Sequence, residues 1–436
     1  MPEFTLLTAF FWAMLLLFCC NVVFFHCDIL EPAVVVTGVM TLSAFLAAVT
    51  QAMWSYDLTE PGFLWLSASM LAFSAGSIFA SWHMGEGREP KDVPPQDSRG
   101  GWHDALALII LTPVLAILAW QSYEEAYALS VSLGNMSGPL GILGTLRPAM
   151  EHDGLTFSRW MVYRQVFAQI VAVASMYIFL RRAIYGRFWW GCCFWLVPVV
   201  LDLPFMVLTT GRLAMVSFGI ASLVMGAVLY EKKHGSTRRT HLRVLGGTVG
   251  AGFLCLVLFL LMGFLTGKGL SADRTPFVVL AHYMGVSIPA FGVVADLPLP
   301  ETGYPFANTL VGPYRIASYF LPFLPKVDTF LSFVYFDGID TNVYTTIWRY
   351  LLDFGHIGML VFMALFGGGY TLAYHYVRSH ASGAFAIMLY AVMAYPIFLS
   401  SISEHLLFDF GGTTTIYDIV LIFIVSRLLL QKRRAS

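Results

Sequence analysis

Few residues in this chain are able to do chemistry: 25 Lys and Arg, 26 Asp and Glu and 11 His among 436 residues. Four arginines stand out by their placement. Arg164 falls about one helical turn inside an apolar run, and Arg212 lies at a short polar turn between two runs. Arg315 sits in a Pro-rich stretch, and Arg349 just ahead of another apolar run. Arginine stays charged at any pH and grips phosphate through a planar fork, so the set suits an anionic ligand. Acids and histidines share these stretches: Glu124, Glu125, Asp202, His282, Asp337, Asp340, Asp353, Glu404, His405, Asp409 and Asp418. Any of them within hydrogen-bond reach of a hydroxyl can serve as its general base. The chain contains no His-Glu-x-x-His, Cys-x-x-Cys, Walker A or Gly-x-Ser-x-Gly motif, so no metal ligand set is expected.

The elements that must hold these residues follow from composition. The chain is 58% hydrophobic and 12% charged, against about 45–50% and about 25% in soluble domains. Its mean hydropathy is +0.73. A soluble enzyme and a disordered chain are both excluded, leaving an all-α polytopic membrane protein. A net charge of −1 gives no reason to expect nucleic acid. The six cysteines, Cys19, Cys20, Cys27, Cys192, Cys193 and Cys255, sit in or beside apolar runs and read as small core hydrophobes.

A bilayer core needs about 20 apolar helical residues. Runs of that kind predict eleven spans (10–12 at the margins): 4–25, 32–53, 62–82, 103–121, 159–180, 188–210, 213–230, 244–266, 355–377, 384–401 and 415–430. The first has no basic segment before it and no small-residue cleavage site after Cys20, so it reads as a retained helix. The whole of 1–436 forms one integral membrane domain. Placing Lys432, Arg433 and Arg434 in the cytoplasm puts sixteen basic residues inside and nine outside, which accounts for all 25. Loop 83–102 is then a cytoplasmic linker, and 122–158 and 267–354 face outward. Thr275–Asp296, in the larger outer loop, reads as an amphipathic or surface helix. Trp54, Trp82, Trp102, Trp120, Trp160, Trp189 and Trp190 fall at predicted span ends, where an amphipathic ring prefers to sit.

Three stretches resemble Wzy-type oligosaccharide repeat-unit polymerases, which build bacterial O-antigen, capsule and exopolysaccharide. Leu208-Thr209-Thr210-Gly211-Arg212 is similar to the family's Thr-Gly-(Ser)-Arg turn between two helices. Leu280-Ala281-His282-Tyr283-Met284-Gly285, running into Ala290-Phe291, resembles its helix at the start of the large periplasmic loop. Asn342-Val343-Tyr344-Thr345, followed by Tyr350 and Asp353-Phe354-Gly355-His356-Ile357-Gly358, resembles its Asn-x-Tyr-Thr and Asp-Phe-Gly-x-x-Gly pattern. The likeness covers roughly residues 160–430.

The resemblance implies a fold like the GT-C membrane glycosyltransferases, with a large periplasmic loop carrying short helices. It implies a bacterial inner-membrane enzyme with its active site facing the periplasm. The substrates are repeat units on undecaprenyl diphosphate, and no metal, nucleotide or other cofactor is required. Membrane lipid, a flippase and a chain-length regulator are the implied partners. Arg212 is the leading cation for the departing diphosphate, followed by Arg164, Arg315 and Arg349. Tyr283, Asn342 and Tyr344 are expected to bind substrate. His282 is the leading general base, with Asp353, a good helix N-cap in its own right, and Glu404 behind it. Two competing readings are an O-antigen ligase or another lipid-linked glycan transferase, and a transporter. Losing a polymerase leaves one repeat unit attached, whereas losing a ligase leaves none. A transporter needs a midplane site, and Asp202 is the main mid-depth charge. The charge tally makes one topological prediction. Alkaline phosphatase fused after Pro298 will be active and after Ser436 inactive; the reverse pattern overturns the orientation.

Overall fold

The computed structural model describes residues 5–84, 102–135, 138–152, 157–186, 190–208, 213–235, 237–265, 275–297, 304, 306–321, 323–324, 331–379, 382–409 and 412–430. Arg212 lies outside them. The helices are α1 (Leu6–Phe24), α2 (Pro32–Trp54), α3 (Glu60–Met84), α4 (Trp102–Ser132), α5 (Ile142–His152) and α6 (Arg159–Tyr185). They continue as α7 (Val197–Leu208), α8 (Leu213–His234), α9 (Arg238–Leu265), α10 (Pro276–Leu280), α11 (Ser287–Ala295) and α12 (Val311–Ala317). After a small hairpin come α13 (Ile347–Arg378), α14 (Ala384–Met393), α15 (Tyr395–Phe398), α16 (Leu406–Asp409) and α17 (Thr413–Leu430). Among the described residues, nine helices are long and apolar enough to cross a membrane. The protein is an all-α polytopic membrane protein.

Two large apolar clusters form its interior, and α13 belongs to both. Its first half contributes Tyr350, Met359 and Met363 to a cluster with α1, α2, α3 and α11. Its second half contributes Tyr374 and Val377 to a cluster with α6, α8, α14 and α17. Lipid gives no hydrophobic drive between helices, so close backbone packing has to hold them. Gly76 and Gly367 supply it. A Cβ on Gly76 would lie 1.9 Å from the Ala364 carbonyl oxygen, and one on Gly367 would lie 2.0 Å from that of Phe73. The Trp65 and His356 rings meet at 4.1 Å nearer the start of both helices. From the Trp65–His356 pair to the glycine crossing at 73–76 and 364–367 the numbers rise on both helices, so α3 and α13 run parallel. Gly355, with φ +63°, breaks α13 near its start, and its first eight residues take a separate direction.

Several expectations are corrected. Only the start of the segment Pro276–Ala295 lies on the surface: none of Pro276–Leu280 is buried, whereas Ser287–Gly292 and Val294 are. It packs across the α2–α3 junction. The His282 ring lies 6.4 Å from Trp54 at the end of α2, and the Gly292 carbonyl accepts from Thr59 Oγ1 at 2.9 Å just before α3. Phe291 stands 6.5 Å from Trp348 at the start of α13. Both ends of this segment therefore stay at one end of the bundle, and its π-helical turn Ala281–Gly285 turns His282 toward the hairpin. The predicted 103–121 run extends to Ser132, and the 355–377 run begins at Ile347. The 384–401 run shortens to Ala384–Phe398. Trp54 is buried, whereas Trp82, Trp120 and Trp160 are exposed. Cys19 and Cys20 are exposed on α1 instead of lying in the core, because an edge helix shows lipid an apolar face as readily as it shows the interior one.

The glycine contacts carry a prediction. Gly76→Val and Gly367→Val will each cost about 1–3 kcal/mol or more through overpacking. Gly369→Ala, with nothing within 4 Å of its Cβ, will be neutral or stabilising. Thermal unfolding of the detergent-purified variants reads the difference, and equal midpoints for all three would contradict the packing.

Candidate functional site

The end of the bundle where α2 passes to α3 also holds the start of α13 and the segments 306–321 and 399–409. Here Asp353 clasps a loop. Its Oδ1 accepts from the Asn308 backbone N–H at 3.2 Å and from Asn308 Nδ2 at 2.9 Å. Its Oδ2 accepts from the Thr309 N–H at 2.7 Å and from Thr309 Oγ1 at 2.6 Å. A carboxylate offers about four lone-pair positions, and four donors occupy them. Asp353 is thus placed to hold the turn at 306–309, which includes Phe306 at φ +63°.

Arg349, one helical turn before Asp353, is only 5% exposed. Its Nη1 donates to the Asn308 carbonyl oxygen at 2.9 Å, and its guanidinium lies 4.6 Å over the Phe408 ring. Asn308 therefore ties Arg349 to Asp353. Phe408 leads on to Glu404, which is 2% exposed. Glu404 Oε1 accepts from Tyr350 Oη and from the Leu407 N–H, each at 2.7 Å, and Oε2 accepts from the Phe408 N–H at 2.8 Å. Glu404 thereby caps α16 with its side chain. Burial pushes its carboxyl above the ordinary carboxylate range, against the opposing pull of the bonds from Tyr350, Leu407 and Phe408.

One further group adjoins these residues. His405 Nδ1 lies 3.1 Å from Asp409 Oδ2 across one turn of helix, and the same oxygen accepts from Tyr395 Oη. Thr415 Oγ1 donates to the Asp409 carbonyl at 2.6 Å. A carboxylate on Nδ1 fixes the tautomer of an imidazole and stabilises its protonated form, leaving Nε2 to act as base. The half-buried His405 side chain therefore has the geometry of a general base. The sequence signal was present as the spacing His405-x-x-x-Asp409, one helical turn; Tyr395 had no signal at all.

The other expected site residues fall in different places. His282 Nε2 is 3.2 Å from the Asp340 carbonyl, and its ring stacks on Tyr283 at 5.5 Å. Asp340 belongs to a hairpin, β1 (Val334–Phe336) and β2 (Ile339–Thr341), closed by Asp337-Gly338 with Gly338 at φ +73°. Asp-Gly is the favoured pair for such a turn. Tyr344 is buried, with its Oη donating to the Ser332 carbonyl at 2.7 Å, and burial raises its hydroxyl above the usual range. It packs 5.9 Å from Trp348. Asn342 is half-buried beside it. Arg315 is exposed on α12, which packs on α16. Arg164 pairs with Glu125 in a separate groove of about 790 Å³ between α4 and α6, walled by Leu118, Trp160, Tyr163 and Phe167. The structure thus brings Arg349, Asp353 and Glu404 into one neighbourhood, with His282, Tyr283, Asn342 and Tyr344 in a second and Arg164 in a third. No family model, curated protein or solved structure matches the chain.

The clasp is open to direct measurement. Asp353→Ala removes four acceptor contacts and will cost about 2–3 kcal/mol, as stranded donors do. The loss will show as a lower unfolding midpoint and faster proteolysis around 306–309. Asp353→Asn, which keeps one acceptor oxygen, will fall between. An alanine variant as stable as wild type would remove the clasp.

Proposed function

We propose that this chain is a bacterial inner-membrane glycosyltransferase of the Wzy type. In this reading it joins oligosaccharide repeat units carried on undecaprenyl diphosphate, at the periplasmic face, and releases undecaprenyl diphosphate. It requires no cofactor. The observation that carries the reading is the convergence at one end of an apolar bundle. Arg349, at the start of α13 and backed by Phe408 and Asn308, lies against the short segment that carries Glu404 and the His405–Asp409 pair. The motif resemblance in 342–358 supports it independently, since Arg349 and Asp353 fall within that stretch. Eleven crossings in a GT-C-like arrangement, with 276–295 as a buried helix of the large loop, belong to the same proposal.

In the proposed step a sugar hydroxyl of the acceptor attacks the anomeric carbon of the donor. Its proton passes to His405 Nε2 as the new C–O bond forms. The C–O bond to the diphosphate breaks, and the diphosphate leaves with the bonding electron pair. Arginine stabilises the charge that develops on the departing oxygen. Arg349 serves there, with the exposed Arg315 on neighbouring α12 and with Arg212. Asp409 stabilises the imidazolium. A single displacement of this kind inverts the anomeric centre. His405 is preferred because a carboxylate lies against its Nδ1 and its segment adjoins Arg349 through Phe408. Tyr283 and Asn342 then line the approach of the sugars, the buried Tyr344 supports them from within through its bond to Ser332, and the Arg164 groove offers apolar walls to a lipid tail.

Purified protein supplied with a synthetic lipid-linked repeat unit tests the assignment. Arg349→Ala will lower turnover at least ~100-fold, and His405→Ala will do so on the scale of general-base losses, about 10²–10⁴-fold. His282→Ala will stay within a few-fold of wild type. Wild-type turnover and pH profile in His405→Ala remove it as the base. Transfer to a lipid A core acceptor, without polymer, assigns the chain to the ligases.

A further inference from the structure

The opposite end of the bundle, where α1 passes to α2, buries charges that the proposed reaction does not use. His26 and Cys27 hold positive φ values of 53° and 66°, a strained turn for non-glycine residues. The residue that follows, Asp28, is buried. Asp28 accepts from Tyr374 Oη at 3.0 Å and from the Leu30 N–H at 3.2 Å, and it pairs with Arg378. Arg378 Nε lies 2.8 Å from Glu231 Oε2. Glu31 accepts from Thr371 Oγ1 at 2.7 Å, with His375 Nε2 3.6 Å away. Lys232, next to Glu231, is turned away, its Nζ donating to Ser382 Oγ and to the carbonyls of Val377, Ser379 and Ser382.

Among the described residues, charge does not balance in this pocket. Asp28, Glu31 and Glu231 bring three carboxylates against the one guanidinium of Arg378, and each carboxylate is buried. Two uncompensated negative charges in a low-dielectric site carry a desolvation cost of several kcal/mol each. Glu231 is only 3% exposed, and its Oε1 has no hydrogen-bond partner among the described residues. Asp28, Glu231 and the buried His241 each bring one ligand atom within 4.8 Å of the others. An ion bonded at about 2.1 Å holds its ligand atoms no more than about 4.2 Å apart, so a closure of under about 1 Å completes the set.

We infer that Asp28, Glu231 and His241 form a binding site for one divalent transition-metal ion. Two carboxylates with one imidazole suit Mn²⁺, Fe²⁺ or Zn²⁺, whereas Mg²⁺ and Ca²⁺ favour oxygen alone. Two positive charges neutralise the excess of the three carboxylates over Arg378. The ion ties the α1–α2 turn to α8 and α9, while Arg378 and Tyr374 extend the link to α13. Its place at the far end of α13 from Arg349 makes it a clamp, separate from the proposed glycosyl transfer.

Full-length protein, purified in detergent and stripped with a chelator, is titrated with Mn²⁺ while electron paramagnetic resonance follows the free ion. One equivalent will bind per chain, Zn²⁺ will displace it, and binding will raise the unfolding midpoint. Glu231→Gln and His241→Ala will each weaken binding by more than ~100-fold, beyond the 10–100-fold typical of outer-shell losses. Glu60→Gln, on α3, will bind as wild type does. Less than one equivalent of either metal on the wild-type chain overturns the site, as does binding that survives both ligand variants. The wild-type titration depends neither on how the variants fold nor on any transferase activity.

Discussion

The close approach of α13 to α3 is the contact on which the rest of the structure depends. At Gly76 and Gly367 the helices come so near that a single added methyl group would run into a backbone carbonyl. In water, burying apolar surface would drive such a pairing; in a bilayer both partners are already in an apolar medium. Dispersion contacts and geometric fit remain, and both need small residues at the crossing. Because α13 also joins both apolar clusters, its position sets the places of the helices on either side of it.

That one helix carries charged side chains at both ends. Arg349 and Asp353 precede the break at Gly355, and Tyr374, His375 and Arg378 end the helix. The break matters because a straight helix would carry its first eight residues along the main axis. A positive φ at residue 355 frees them to meet the turn at 306–309 and the 404–409 segment. The charges at this end are answered: half-buried Asp353 by four donors, buried Glu404 by three, buried Arg349 by a carbonyl and an aromatic face. His405, half-buried and held by Asp409, differs from them because its second ring nitrogen remains to exchange a proton. The far end holds more negative than positive charge, and that imbalance sets the two ends apart.

Much of the architecture was legible in the residues. Long apolar runs located most helices to within a few residues, since a helix must satisfy its backbone internally wherever lipid surrounds it. The Asp337-Gly338 turn and the Asp-Phe-Gly stretch at 353–355 are local signals, and each marks a real backbone feature. Hydropathy misplaced Thr275–Asp296, because an apolar helix buried across the α2–α3 junction has the same composition as one seated at the bilayer surface. It misread Cys19 and Cys20 for the same reason: a lipid-facing position and a core position are both apolar.

The sequence by itself determined the solvent of this protein, the rough bounds of most of its apolar helices and the stretches in which its charges fall. Those properties are sums over neighbouring residues. Tertiary structure alone decided which charges meet. Asp28 and Arg378 stand 350 positions apart, Asn308 and Asp353 stand 45 apart, and Ser43 bonds Ser401 across 358. No local periodicity encodes such pairs. They depend on the crossing of α3 and α13, on the break at Gly355 and on the fold of the 306–321 loop. It also decided that Asp353 holds a turn while His405 lies against a carboxylate four residues on. A side chain's capacity for chemistry depends on which of its atoms are already bonded, and those bonds come from residues that only the fold brings near.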